Sequence, residues 1–157
     1  DVGVTVTGAF DDASASMLGG VTVTDNTADD LLASDDPFAE HALVWTPPER
    51  AYSADTDVSA CERVAPMAAL ATELALEGDY TRAMTVNGLA FSAALGFPTD
   101  PAVEAMADSD GVSLSGTGPS VVAVGDREAL ATVRERWATR DGETRLTRTR
   151  ETGARVL

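Results

Sequence analysis

The chain has 157 residues, a formal net charge of -15 at pH 7 and a hydrophobic content of 44%. This length and apolar content allow one globular domain with a buried core and are marginal for two. All eleven cationic residues are arginine, against twenty-six acidic residues, which excludes nucleic acid and anionic membranes as ligands because both require clustered cations. A carboxylate-rich surface keeps a protein soluble in concentrated salt, so this composition predicts halophilic adaptation.

The chain contains a single cysteine, Cys61, and a single histidine, His41. A lone cysteine among apolar residues predicts a small buried side chain in a reducing compartment. A histidine without a second ligand at suitable spacing predicts no metal site. No stretch reaches the roughly 20 apolar residues of a membrane span, and no signal peptide is visible. We therefore expect a cytoplasmic protein and, since the chain begins with Asp1, a piece of a longer one.

The first forty residues predict strands around a short helix. Residues 2–7 alternate in the manner of a strand. Residues 9–18 have a helical composition and stop at a pair of glycines, which commonly end helices. A second strand is predicted over residues 20–26. The acidic segment 26–41, which contains a proline, is expected to be a loop or a frayed helix.

The rest of the chain predicts a strand starting at His41, four helices and three further strands. Apolar residues recur at helical spacing through the central part, where Pro66 is expected to kink or restart a helix and Gly88 to interrupt one or pack it tightly. Asp126 has the position of a helix N-cap. The helices are predicted over 59–78, 79–97, 99–109 and 126–138, and the later strands over 111–115, 120–125 and 143–150.

This order of elements predicts an α+β fold in which helices pack on one face of a largely antiparallel sheet. The composition changes near residue 46, which is the best candidate for a domain boundary. The last strand alternates arginine with other residues, a pattern typical of the solvent face of an edge strand.

A glycine loop is the strongest local signal for a binding site. In the segment SLSGTGPSVVAV, Gly116 and Gly118 flank Thr117, so backbone N–H groups can approach an anion closely. The hydroxyls of Ser115, Thr117 and Ser120 would add donors, and phosphate is the expected ligand class. A tight turn between two strands with no ligand remains the alternative. The segment matches neither a Walker motif nor a dinucleotide fingerprint.

Three further polar residues are candidates for a site. Asp11 and Asp12 fall in the first turn of a predicted helix, about 100° apart, so at most one of them faces a given ligand. An aspartate there could take the proton of a substrate hydroxyl or could simply interact with the helix dipole. Asn87 is a polar residue in an apolar helix and would bind a small polar substrate or, alternatively, a backbone group.

The wording of three segments resembles the GHMP kinase superfamily. SLSGTGPSVVAV looks like the third conserved motif of these kinases, and TGAFDDASASMLGG resembles the segment that holds their catalytic acid. With MTVNGLAFSAALGF added, the chain is most similar within the superfamily to the archaeal shikimate kinases. The resemblance implies a transferase that uses ATP and Mg²⁺ to phosphorylate shikimate to shikimate 3-phosphate.

The resemblance also implies roles for individual residues and domains. The family's acidic residue stands seven places before the glycine pair, which assigns catalysis to Asp12, with Asp11 second. Gly116, Thr117 and Gly118 would lie near the nucleotide phosphates and the substrate, while Ser115 as a nucleotide contact and Asn87 as a substrate contact are expected from the residues themselves. Residues 1–45 would end the N-terminal domain, and residues 46–157 would form the C-terminal domain.

The main ATP-binding loop of the superfamily is not found in this sequence. Such kinases are nearly twice as long, so the resemblance implies that the chain is the C-terminal half of an enzyme, that its partner is the missing N-terminal half, and that it is inactive alone. Two alternatives remain open. The substrate could be homoserine, mevalonate or a sugar, or the chain could be a non-catalytic binding subunit with the same fold.

Overall fold

In the computed structural model, residues 10–51 and 58–155 are described, and they form parts of two compact units. One unit comprises residues up to Phe38 together with those from Thr149 onward, and the other comprises Ala39–Arg148. The strand predicted over residues 2–7 lies outside the described residues. The prediction that a domain boundary follows residue 45 stays a prediction.

Among its described residues, the first unit contains one helix and a two-stranded antiparallel sheet. Helix α1 is Phe10–Leu18, strand β1 is Val21–Asp25 and strand β2 is Asp30–Asp35. The predicted helix and second strand are therefore confirmed.

The expectation of a loop or frayed helix over residues 26–41 is wrong, because that segment contains β2. The turn that leads into β2 is stabilised by the Asp25 carboxylate, which accepts hydrogen bonds from the N–H groups of Thr27 and Ala28 at 2.8 and 3.2 Å. The chain therefore turns back on itself and pairs with β1.

Residues 39–51 and 58–148, the described part of the second unit, form five helices and four strands. Pro66 lies in the first turn of a helix, as proline prefers, so the helical segment does restart there. The elements are β3 (His41–Thr46), α2 (Val58–Glu62), α3 (Ala65–Leu76), α4 (Tyr80–Leu95), α5 (Asp100–Ala105), β4 (Gly111–Leu114), β5 (Val121–Gly125), α6 (Arg127–Trp137) and β6 (Glu143–Arg148).

The four strands of this unit form an antiparallel sheet in the order β4-β5-β3-β6. The arrangement is ferredoxin-like, because along the chain one strand is followed by helices, two strands, a helix and a final strand, which pair in this spatial order. The α+β prediction is confirmed. Strand β6 is an edge strand, and Arg145 and Arg148 on it are exposed, as the alternating arginines predicted.

The core of the second unit lies between the sheet and its helices. Leu43, Leu130, Val133 and Trp137 are completely buried there. The indole N–H of Trp137 donates to the carbonyl of Pro101 at 3.0 Å, so the polar atom of this large buried ring is satisfied. Asp126 is the N-cap of α6, as predicted, and its carboxylate accepts hydrogen bonds from two N–H groups of the first turn.

Helix α4 packs directly along strand β4 without interruption. A Cβ on Gly88 would lie 2.6 Å from Ser113 Oγ and 2.7 Å from the Leu114 nitrogen, so only glycine fits at this crossing. One turn earlier, Thr85 Oγ1 accepts a hydrogen bond from the Val112 N–H at 3.2 Å. The tight packing predicted at Gly88 is confirmed.

The single cysteine and the single histidine differ in how far they are buried. Cys61 is free but half-buried, less enclosed than expected, because it lies on the short helix α2. His41 is buried in the central strand β3. Among the described residues, no helix is both long and apolar enough to cross a membrane, and no group of three potential ligands could hold a metal ion.

Candidate functional site

The carboxylates of Asp11 and Asp12 lie in the first turn of α1, and both residues are exposed. The helix rests on β1 through Ser14, which is 8% exposed and whose hydroxyl contacts Thr22 Oγ1 at 3.3 Å. Asp12 precedes Ser14 by two residues, or roughly 200° around the helix, whereas Asp11 precedes it by three, or roughly 60° from the same face. Asp12 therefore projects away from the sheet into solvent, while Asp11 lies nearer the packed face.

The glycine pair after α1 has a structural reason. Gly19 and Gly20 adopt φ values of 77° and 65°, in the left-handed region that favours glycine. A Cβ on Gly19 would lie 2.6 Å from the Thr152 backbone. The Gly20 N–H donates to the carbonyl of Arg150 at 2.7 Å, so the end of α1 packs against the C-terminal segment of the same unit.

The glycine loop joins β4 to β5 and is closed by two backbone hydrogen bonds. The Ser115 N–H donates to Ser120 O at 2.8 Å, and the Gly118 N–H donates to Ser115 O at 3.0 Å. Gly116 has φ of 55° as the first central residue of the inner turn, the geometry of the primed turns that glycine favours. A Cβ on Gly116 would meet nothing within 4 Å, so its surroundings are open.

The exposed part of this loop is Ser115 to Thr117, while Gly118 is half-buried. The Ser120 hydroxyl donates to Thr46 Oγ1 at 3.2 Å and thus ties the loop to the end of β3. The amides of Ser115 and Gly118 are engaged within the loop, so an anion would approach the backbone at the exposed tip around Gly116. This tip has open space beside Gly116, and the phosphate contact assigned to the loop stays a prediction.

Asn87 lies on α4 and is half-buried. It stands next to Gly88, at the level where the helix crosses Ser113 on β4. The strand carries on from Ser113 into the glycine loop. Asn87 and the loop therefore belong to adjoining elements of one unit, whereas Asp12 belongs to the other. The assignment of all these residues to one site stays a prediction.

The pKa shifts in the second unit arise from ion pairs that join its elements. A hydrogen bond from the exposed Arg148 lowers the pKa of the exposed Glu40 carboxyl. Arg140 does the same to Glu104 through bonds of 2.9 and 2.5 Å, and this pairing raises the pKa of Arg140. One pair links the residue before β3 to β6 and the other links α5 to the turn after α6, and neither includes a predicted site residue.

Reasoning from the sequence missed one residue at the loop. Phe97 lies just beyond α4, and its ring covers Gly118, where a Cβ would be 2.6 Å from Phe97 Cε2. The sequence does show a glycine followed by an aromatic residue at the end of a predicted helix, a pattern typical of a helix C-terminus with an apolar contact. The partner of that ring, however, lies 21 positions later in the chain and could not be read from local patterns.

The glycine loop and its supporting helix fall within a known domain family. The family model described as GHMP kinases C terminal matches residues 72–143, which include α4, β4, the loop and β5.

Curated proteins named shikimate kinase match nearly the whole chain. The protein of Halobacterium salinarum is 63% identical over 156 residues, which are 99% of this chain and 55% of that protein. The protein of Methanosarcina acetivorans is 46% identical over 138 residues, covering 87% of this chain and 47% of that protein. The chain thus spans about half the length of the relatives it matches.

Solved structures agree on the fold. A structure described as a putative homoserine kinase from Listeria monocytogenes aligns with a TM-score of 0.54 and 18% identity, covering 89% of this chain and 52% of that one. A homoserine kinase from Cytophaga hutchinsonii gives 0.56 and 16%, covering 88% and 50%. Residues 72–143 thus match the GHMP kinase C-terminal domain, and nearly the whole chain is homologous to about half the length of the shikimate kinases of Halobacterium salinarum and Methanosarcina acetivorans.

Proposed function

We propose that this chain is part of an ATP-dependent shikimate kinase, which transfers a phosphoryl group to the 3-hydroxyl of shikimate. The observation that carries the proposal is the high identity to the Halobacterium salinarum protein across almost all of this chain. The glycine loop supports it, because an exposed turn with open space at Gly116 suits a phosphate group.

Asp12 is the proposed catalytic residue. Its carboxylate would accept the proton of the shikimate hydroxyl as that oxygen bonds to the γ-phosphorus of ATP and the bond from phosphorus to ADP breaks. The exposure of Asp12 on the face of α1 opposite Ser14 supports this role, since a substrate can reach it. Asp11 is the second candidate but lies closer to the packed face.

The glycine loop is the proposed contact for the nucleotide phosphates. The backbone of Gly116 and Thr117, with the hydroxyl of Ser115, would donate hydrogen bonds to phosphate oxygens, and Gly118 shapes the turn. Asn87 is the proposed contact for a substrate hydroxyl. These groups position the reactants, which supplies most of the catalysis in phosphoryl transfer.

Magnesium would accompany ATP in such a reaction, where it neutralises phosphate charge. Among the described residues no group of three potential ligands could hold a metal ion, and a magnesium ion that accompanies ATP uses only one or two carboxylates beside phosphates and water. No step of the mechanism is therefore assigned to this ion on the present chain.

The proposed partner is an upstream segment that completes the enzyme. In the described part of the first unit the sheet has only two strands, and a two-stranded sheet is marginal unless something else packs on it. Several large apolar side chains of this unit are also 43% to 56% exposed, namely Met17, Leu18, Leu31 and Leu32. An added segment would bury them and gain about 25 cal/mol for each Å² of apolar surface removed from water.

A fusion enzyme tests the proposed function. The portion of the Halobacterium salinarum protein that precedes the matched region would be joined to this chain, and the product is called the fusion enzyme below. It would be assayed for ADP release with shikimate, homoserine, mevalonate and galactose. We expect turnover with shikimate alone, whereas phosphorylation of homoserine but not shikimate would overturn the proposal.

Calorimetry separates a kinase from a binding subunit. The fusion enzyme should bind ATP with Mg²⁺, and the 157-residue chain alone should bind it at least about tenfold more weakly, a difference of about 1.4 kcal/mol. Equal binding by both would show that the upstream segment contributes nothing to the nucleotide site. No binding by the fusion enzyme would favour a subunit that has lost catalysis.

A further inference from the structure

The glycine loop is held from one side by an aromatic ring. Gly118 has φ of 76°, and a Cβ there would lie 2.6 Å from Phe97 Cε2, 2.9 Å from Phe97 Cδ2 and 3.0 Å from Leu114 Cδ1. The ring therefore lies directly on the Gly118 Cα. Gly116, two residues earlier in the same loop, has nothing within 4 Å of the equivalent point. One end of the loop is packed and the other is open.

The C-terminal cap of α4 places this ring. Gly96 adopts a left-handed conformation with φ of 75° and ψ of 21°, and its N–H donates to Ser92 O. The next N–H, that of Phe97, also donates to Ser92 O at 2.9 Å. Ser92 is only 2% exposed, so these bonds are formed in the interior. The chain thus leaves the helix in a fixed direction, which sets the position of Phe97.

Helix α4 is in turn fixed to the strand that leads into the loop. Near its start Met84 covers Gly111, and farther along Thr85 accepts from the Val112 N–H and Gly88 meets Ser113. The helix therefore runs in the same direction as β4, and its C-terminal end arrives beside the loop. The loop is supported by its own β-strands and, independently, by the ring at the end of α4.

We propose that Phe97 is a positioning residue for the glycine loop, holding Gly118 so that residues 115–117 keep the shape that receives the nucleotide phosphates. The inference rests on the proposed function, because it assumes that the loop binds phosphate. This role requires no contact between Phe97 and the substrate. Its effect follows from preorganisation, since amides that are already in place lose less free energy when a ligand binds than amides that must first be ordered.

Hydrogen–deuterium exchange of the fusion enzyme tests the support of the loop. In Phe97→Ala we expect the amides of residues 114–120 to exchange about tenfold faster, because the loop opens more readily. Phe97→Tyr keeps the ring and should exchange like the unmodified enzyme. Phe91→Leu is the matched control, since Phe91 is a half-buried phenylalanine on the same helix. If Phe97→Ala fails to fold, Phe97→Leu takes its place, with about threefold faster exchange expected.

Steady-state kinetics test the consequence for binding. Phe97→Ala should raise KM for ATP about tenfold while kcat changes by less than about threefold, because the loop, not the reacting groups, is altered. Phe97→Tyr, which keeps the ring, should have the same KM for ATP as the unmodified fusion enzyme. Unchanged loop exchange in the alanine and leucine variants, or equal effects of Phe91→Leu, would overturn the inference.

The exchange measurement does not depend on catalysis, so the two proposals can fail separately. Faster loop exchange in the Phe97 variants together with an absence of shikimate turnover in the unmodified fusion enzyme would refute the proposed function and leave the packing role intact. Normal turnover of shikimate with unaltered loop exchange and KM in the variants would refute the role of Phe97 alone.

Discussion

Replacing Gly88 by alanine tests the packing that places the loop. The new methyl group would stand 2.7 Å from the Leu114 backbone nitrogen, whereas ordinary van der Waals contact begins at 3.4 Å. Helix and strand would therefore have to separate by at least about 0.7 Å, the difference between those two distances, because the Ser113 Cα lies closer still. The Ser113 backbone is also in the way, and backbone atoms cannot rotate aside as a flexible side chain can.

The expected magnitude is the balance of two opposing effects. Overpacking a well-filled site costs about 1–3 kcal/mol, and a clash with backbone lies at the upper end of that range. Alanine in a helix interior gains about 1 kcal/mol over glycine. We therefore expect Gly88→Ala to lower the free energy of unfolding by about 2 kcal/mol, whereas without the clash the same change would raise it.

Urea unfolding in molar KCl, followed by circular dichroism, measures this balance. Ala93→Gly is the matched control because Ala93 is exposed on the same helix, where the reverse exchange of alanine and glycine involves no buried contact. The control should lose about 1 kcal/mol and so measures the helix preference alone. A Gly88→Ala chain as stable as the unmodified chain, or more stable, would refute the close approach of α4 to β4 and, with it, the placement of Phe97.

Three further predictions concern stability. Arg140 lowers the pKa of Glu104 below its ordinary value of 4.5, so their pairing stabilises the fold above about pH 4.5 and is lost as pH falls through the lowered pKa. Glu104→Gln should therefore cost about 0.5–1 kcal/mol at pH 7 and progressively less at lower pH in urea titrations. Trp137→Phe removes the hydrogen bond to Pro101 O and part of a fully buried ring, so it should lower the free energy of unfolding by about 2 kcal/mol in the same assay. An unchanged free energy of unfolding would show that the indole is not enclosed. The melting temperature should rise from dilute to molar KCl because salt screens the net charge of -15, and an unchanged value would contradict the halophilic interpretation.

The elements that the sequence predicted well are those with strong local signals. Helix α4 has apolar residues at regular spacing, an aspartate before its first turn and a glycine after its last, and the structure shows Asp79 and Gly96 in those two roles. The loop between β4 and β5 was predicted from the spacing of its glycines, which the turn geometry requires. Local rules decide such elements because their main hydrogen bonds are local.

Strand β2 was missed because its local signals pointed elsewhere. Its two leucines stand among aspartates, which are poor strand formers, and Pro37 follows shortly after. Pairing with β1 overrides these preferences, and the pairing has an irregular register between Val23 and Thr24. The strand therefore depends on a partner that its own residues do not reveal.

The candidate site was predictable only in part for the same reason. Asp12 was preferred over Asp11 because the resemblance to the GHMP kinases places the acidic residue seven positions before the glycine pair, and its catalytic role stays a prediction. The contact between Phe97 and Gly118 joins two elements that are distant in the chain. Contacts of this kind follow from how α4 packs on β4. The sequence predicted tight packing of this helix but did not show that β4 is the strand on which it packs.

The proposed role of Asp12 as the catalytic base is tested by comparing aspartate variants of the fusion enzyme. The rate of shikimate phosphorylation by the fusion enzyme would be compared with the rates of its Asp12→Asn and Asp11→Asn variants at saturating ATP. We expect Asp12→Asn to lower kcat by a factor of about 10²–10⁴, as when a general base is lost. The kcat of Asp11→Asn should stay within about threefold of the value for the unmodified enzyme. Full activity in Asp12→Asn, or a loss confined to Asp11→Asn, would contradict the proposed role of Asp12.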